Sequence, residues 1–197
     1  MVEEVLNYWF GATLSAVEVN AQKRALWWGK AEESDREIRT RFGACQDEAA
    51  AGGLVDWEAE PRSLLALILV LDQFSRVIHR GNPAGLACDA RALLLAKQAI
   101  RIDFSGRLRP IERIFLYLPL EHSESLADQQ ECVALFETLL AEAPAADRAV
   151  FEGSYRFAIA HLEIVARFQR FPHRNEVLGR TSTPAEVEFL KEPNSGF

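Results

Sequence analysis

The residues of this chain best suited to chemistry fall in three short stretches. The first is Glu121, His122, Ser123 and Glu124, with Asp128 close behind. A histidine among carboxylates is the raw material of a general base or a metal site. Much of the stretch has a simpler use: Ser123 or Ser125 can cap a helix, and acids in a first turn are favoured by the helix dipole. That account leaves His122 unexplained. The second stretch is Asp72, Gln73 and Arg76, which follow at once on the apolar run "LLALILVL". Asp72 and Arg76 have the spacing of a helical ion pair, so they form either the polar end of a buried helix or the wall of a pocket. The third is "RFQRFPHRN", residues 167–175, with Arg167, Arg170, His173 and Arg174. From 156 to 180 five arginines face two glutamates, a local excess of positive charge in a chain of formal net charge -7. A guanidinium fork suits carboxylate or phosphate. Its acceptor is either the acidic run Glu121, Glu124, Asp128 and Glu131 of the same chain or an external anion, and sequence leaves both open.

Helices must position these residues, because nearly every segment repeats its apolar residues with helical spacing and almost none alternates as a strand would. Val2, Val5, Leu6, Trp9 and Phe10 share one face before Gly11, a C-cap. A second helix is expected from Ser34 as N-cap to Gly52. The run "LLALILVL" leaves no solvated face, which makes its helix, from Pro61 to about Gly81, the central one. Asn82 and Pro83 should start another. "RPIERIFLYLP" reads as a short helix bracketed by Pro110 and Pro119, and "SESLADQQECVALFETLLAEA" as a longer one. The longest should run from about Ala146 to Arg170. On it Arg156, Glu163, Arg167 and Arg170 form one stripe, while His161 lies with apolar neighbours as a core histidine. Thr183, Pro184 and Glu186 read as a capping box. The expectation is an all-α chain of eight or nine helices, one domain over 1–197.

With 22 Lys+Arg against 29 Asp+Glu, broad attraction to nucleic acid or anionic membrane is disfavoured. Cys45, Cys88 and Cys132 stand far apart, without ligand spacing, and read as reduced, buried thiols. The acidic start "MVEEVLNYWFG" does not resemble a secretory signal, and no apolar run reaches the ~20 residues of a membrane span. A cytoplasmic protein is expected. His79, His122, His161 and His173 are scattered, and no glycine-rich nucleotide loop or GxSxG elbow occurs. No metal or cofactor is therefore expected.

At "LDQFSRVIHRG", "FLYLPLEHSESLADQ" and "RFPHRNEVLGRTSTPAEVEFL" the chain resembles a bacterial family of uncharacterised proteins, domain of unknown function 924. The likeness runs from the "YWFG" of residues 8–11 to Phe197. It implies layered antiparallel helical hairpins, a tetratricopeptide-like superhelix or bundle, and no accepted reaction. Matching positions are Asp72, Gln73 and Arg76; Glu121, His122, Ser123 and Glu124; and Arg170, Phe171, Pro172, His173, Arg174 and Asn175. Ser75 departs from the proline that the resemblance leads one to expect.

If the three stretches converge on one cleft, the leading reading is a soluble cytoplasmic binding module, with an enzyme and then a purely structural network as the alternatives. In a binding module, Arg170 and Arg174 hold a small anionic ligand or an acidic peptide end, His173 and Asn175 orient it, and Asp72 or Glu121 fixes the arginines. In a hydrolase or group-transfer enzyme, His122 or His173 is the general base and Glu121 or Asp72 orients it. Its mark is a histidine nitrogen within ~3 Å of a carboxylate and facing an open pocket. In the third, the stretches are an internal salt-bridge network. The aromatic "ALWWGK" at 25–30 is core or interface, so oligomeric state stays open.

Overall fold

The helix that carries "LLALILVL" is the axle of the molecule: every residue from Leu64 to Leu71 is at most 1% exposed. The structure, a computed structural model, describes residues 1–12, 15–193 and 195–196, so Phe197 lies outside the described residues. In chain order the helices are α1 (Val2–Phe10), α2 (Ala16–Trp28), α3 (Glu32–Ala50), α4 (Pro61–Leu69), α5 (Ser75–Ile78), α6 (Asp89–Arg101), α7 (Pro110–Glu121), α8 (Leu126–Glu142), α9 (Arg148–Phe168) and α10 (Pro184–Phe189). Short 3-10 turns join several of them, and no strand occurs among the described residues. The fold is all-α. Helix α4 packs against α1, α6 and α7, while α8 is sandwiched between α7 and α9. Links of a few residues between α7, α8 and α9 suit antiparallel neighbours.

Several element ends differ from the spacing-based expectation, each for a physical reason. The axle is interrupted: residues 70–74 form a π-helical turn between α4 and α5. The Ser75 N–H closes this turn on the Val70 carbonyl, a bond that proline could not make. The extra residue of a π turn widens the helix where Asp72 and Gln73 lie, a placement common at functional sites. Helix α7 does not stop at Pro119 but runs through it to Glu121, with Leu116, Leu118 and Leu120 all buried. Burial of that apolar face outweighs the hydrogen bond that Pro119 cannot donate. Helix α3 begins at Glu32, before Ser34, with Ala31 at the N-cap position and no side-chain cap. The Asn82 side chain accepts from the Ala84 N–H, yet it opens a 3-10 turn (Pro83–Leu86) rather than α6 itself. The Thr183–Glu186 capping box is present in both directions. Gly11 (φ 70) and Gly52 (φ 87) have the positive φ that glycine tolerates, just past the ends of their helices.

Trp9 and Trp27 each meet Phe115 edge to face in the core beside the axle, with the Trp27 indole N–H donating to the Trp9 carbonyl at 3.0 Å. Trp28 is 55% exposed, so "ALWWGK" divides between core and surface. Cys45, Cys88 and Cys132 are free and buried. A separate small apolar cluster, Ile164, Val165, Phe171 and Phe189, anchors the segment after α9. That segment supplies one wall of the site.

Candidate functional site

Asp72 is the hub. It is 1% exposed, and three donors converge on its carboxylate: the Gln73 amide at 2.5 Å, the Arg76 guanidinium at 2.8 Å and the His122 imidazole Nδ1 at 2.7 Å. Burial pushes its pKa up, but Arg76, His122 and Gln73 together pull it below the usual carboxylate range. An ionised carboxylate can only accept, so the Nδ1 of His122 carries the proton and its Nε2 presents a lone pair. Burial, and then the positive charge of Arg76, lower the His122 pKa against the pull of Asp72. The neutral imidazole is the stable form at pH 7.

Each partner is itself held. Arg76 reaches Asp89, in the first turn of α6, through two parallel bonds of 2.9 Å and also donates to the Asp72 carbonyl at 2.9 Å. His122 caps the C-terminus of α7. There the buried Gln129 amide of α8 reaches the carbonyls of Leu120, Glu121 and Ser123 at 3.3, 2.7 and 2.6 Å. It satisfies carbonyls that a helix end would otherwise leave without partners. Ser123 donates to Asp128 at 2.7 Å and accepts from the Ser125 N–H, so its hydroxyl is committed to the α8 cap.

His122 opens onto a cleft of about 280 Å³ lined by Leu86, Asp89, Ala90, Leu93, Pro119, Ser123, Glu124, Arg174 and Leu178 besides itself. Arg174 is part of this lining, with its side chain 11% exposed. Its Nη1 donates to the His122 carbonyl at 2.9 Å and lies 3.9 Å from Asp89, while its guanidinium sits 4.4 Å from the centre of the Phe171 ring. Among the described residues nothing accepts from its Nε or Nη2. Burial, then repulsion from Arg76, bring its pKa down to about 10, which leaves it charged at neutral pH.

Glu124 pins this wall to the body. It accepts from both Arg180 nitrogens at 2.7 and 2.9 Å and from the Phe171 N–H at 2.8 Å. Burial opposes its ionisation, but these donors hold its pKa below the ordinary value. The acidic and basic stretches do dock, through Glu124 with Arg180 and through Arg174 with the His122 backbone.

The remaining expected residues lie elsewhere. Arg170 makes no contact with the acidic run: it forms a fork with Glu186 at 2.6 and 2.7 Å and donates to the Thr181 carbonyl at 3.0 Å. This corrects its expected place as an anion clamp, because its donors already fold the C-terminal segment. Asn175 is 1% exposed and donates to the Ser182 hydroxyl at 3.0 Å, which also takes it out of the cleft wall. His173 lies outside the cleft lining, tilted against Phe171 with ring centres 5.6 Å apart, and burial brings its pKa down to about 4. Glu121 does not orient His122. It lies 3.6 Å from the Nδ1 of His161, which donates to the Phe157 carbonyl at 2.8 Å. Burial, then the charge on Asp72, push the Glu121 pKa up to about 8. Neither Asp72 nor Glu121 bonds Arg170 or Arg174. Sequence reasoning missed Asp89 and Arg180. Asp89 looks like an ordinary first-turn acid, and Arg180 is one arginine among five.

Among the described residues no cluster of three or more His, Cys, Asp or Glu could hold a metal ion, and no helix is long and apolar enough to cross a membrane.

Residues 5–194 match the family model described as bacterial protein of unknown function (DUF924). A solved structure of a protein of unknown function from Agrobacterium tumefaciens superposes with a TM-score of 0.81, at 32% identity over 96% of each chain. No curated protein matches.

Proposed function

The chain belongs to the DUF924 family of bacterial proteins, and on that footing we propose that the cleft is a catalytic site for hydrolysis or group transfer on a small anionic substrate. His122 is the general base, Asp72 orients it, and Arg174 holds the anion. The observation that carries the reading is the 2.7 Å contact from His122 Nδ1 to the buried Asp72 carboxylate, behind a ring that lines an open cleft. A carboxylate on Nδ1 selects the tautomer whose Nε2 takes a proton from water or a substrate hydroxyl, and it stabilises the imidazolium that forms. The lowered His122 pKa keeps the base unprotonated at pH 7.

A second reading has an observation of its own. The open Nε and Nη2 edge of Arg174 would serve an anion-binding module equally well, with no chemistry at His122. Activity of the parent and of His122→Gln, against a panel of small carboxylate- and phosphate-bearing esters, separates the two. Under the catalytic reading His122→Gln turns its substrate over at least about a hundredfold more slowly than the parent, as removal of a general base typically does, with ligand binding retained. A panel that binds but never turns over contradicts it.

A further inference from the structure

The cleft that His122 and Arg174 line has an aliphatic part as well: Leu86, Ala90, Leu93 and Leu178 line it too. Leu178 is 40% exposed, and Leu86 and Leu93 are only partly covered, so apolar surface stays open to an occupant beside the polar edge.

The charges around that edge are nearly closed on themselves. Three carboxylates, Asp72, Asp89 and Glu124, stand against three guanidiniums, Arg76, Arg174 and Arg180. Arg76 is consumed by two acids, and Arg180 by Glu124 and the Phe171 carbonyl. His122, His161 and His173 are held neutral by lowered pKa values, and Glu121 is protonated at pH 7. Arg76 and Arg180 have both Nη atoms committed, and the Nε of Arg180 is buried without a partner; Arg174 commits only Nη1, which leaves Nε and Nη2 as one fork for an incoming group. That fork matches the two oxygens of a carboxylate. A phosphate dianion would bring two charges beside Asp89 and Glu124 with a single guanidinium to meet them, and partly buried charge without a partner is costly.

Resting on the catalytic reading for its chemistry but not for its binding, we infer that the cleft takes a monocarboxylate with a short aliphatic body. The carboxylate lies on Arg174, next to His122, and the aliphatic body lies along Leu86, Leu93 and Leu178. The volume of about 280 Å³ sits at the small end of ligand pockets, which suits a small molecule.

Calorimetric titration of the parent with acetate, butyrate, hexanoate and inorganic phosphate tests this. Affinity should rise up to about fourfold per added methylene until the wall is covered, and phosphate should bind more weakly than butyrate. Arg174→Gln should cost about tenfold or more for every carboxylate. Leu93→Ala should flatten the dependence on chain length, and its far-ultraviolet circular dichroism should match the parent's. Phosphate binding as tightly as butyrate, no dependence on chain length, or no carboxylate binding would each overturn the assignment. Carboxylate binding that follows the expected series, with no turnover of any ester, supports the assignment while contradicting the catalytic reading, so the two fail separately.

Discussion

Asp72 with His122, and Glu121 with His161, are two carboxylate–histidine pairs set side by side where α7 meets the π turn, and they rest in opposite states. Asp72 collects Gln73, Arg76 and His122 as donors and stays ionised. Glu121 has His161 at 3.6 Å, a ring whose Nδ1 proton goes to the Phe157 carbonyl at 2.8 Å. It stays protonated up to about pH 8, and burial drops the His161 pKa to about 3. Both acids are buried, so burial alone does not set their charge. The neighbouring charges and committed donors do: Arg76 and the donors on Asp72 favour its ionised form, while the charge on Asp72 disfavours that of Glu121. The ionised pair faces the cleft, where a proton can be taken up and given back, whereas the neutral pair sits behind it as packing.

The comparison can be broken at three places. The largest effect is expected from Asp72→Ala, which leaves Arg76 and His122 around an empty position in the core. Breaking a buried pair costs about 3–5 kcal/mol, to be read from the urea unfolding midpoint. Asp72→Asn should be milder, because the amide oxygen can still accept from Nδ1. Next comes Glu121→Gln, through pH. The folded-state pKa of Glu121 is raised, so its contribution is fully present below the unfolded carboxylate value near 4.5 and is lost as pH rises through about 8. The parent should therefore lose on the order of a few kcal/mol more than Glu121→Gln between pH 5 and 9. Parallel melting curves across that range would sink the claim that Glu121 is held protonated. Smallest is Arg180→Ala, which leaves Glu124 with the Phe171 N–H and weakens the wall that carries Arg174. About 1–2 kcal/mol is expected for these charge-assisted bonds at a half-exposed site. Faster amide exchange confined to residues 171–182 should accompany it.

The fold was legible where burial and periodicity agree. The apolar run from Leu64 to Leu71 reads as a central helix, and it is buried throughout, as the body of α4 and the start of the π turn. Pro119 was misleading because a local rule about proline says nothing of the apolar face that pulls α7 through to Glu121. The π turn was invisible, since inserting one residue in a helix leaves no mark on a spacing already apolar on all sides. In the site, the i,i+4 pair of Asp72 and Arg76 could be read from spacing and is present at 2.8 Å. The density of arginines in "RFQRFPHRN" could not say which one keeps open donors. Glu186, expected only to cap α10, also takes the Arg170 fork, while Arg174 turns the other way onto His122. Such choices rest on contacts tens of residues apart, and local pattern carries none of that information.

The central claim is that Asp72 fixes a neutral His122 with its proton on Nδ1 and its Nε2 lone pair toward the cleft. Nitrogen-15 spectroscopy of the imidazole side chains at pH 7, assigned by comparison with His122→Gln, reads this directly. His122 should show a protonated Nδ1 and an unprotonated Nε2, with both becoming protonated only below the ordinary histidine value near pH 6.5. A His122 that is doubly protonated at pH 7, or that carries its single proton on Nε2, would contradict it.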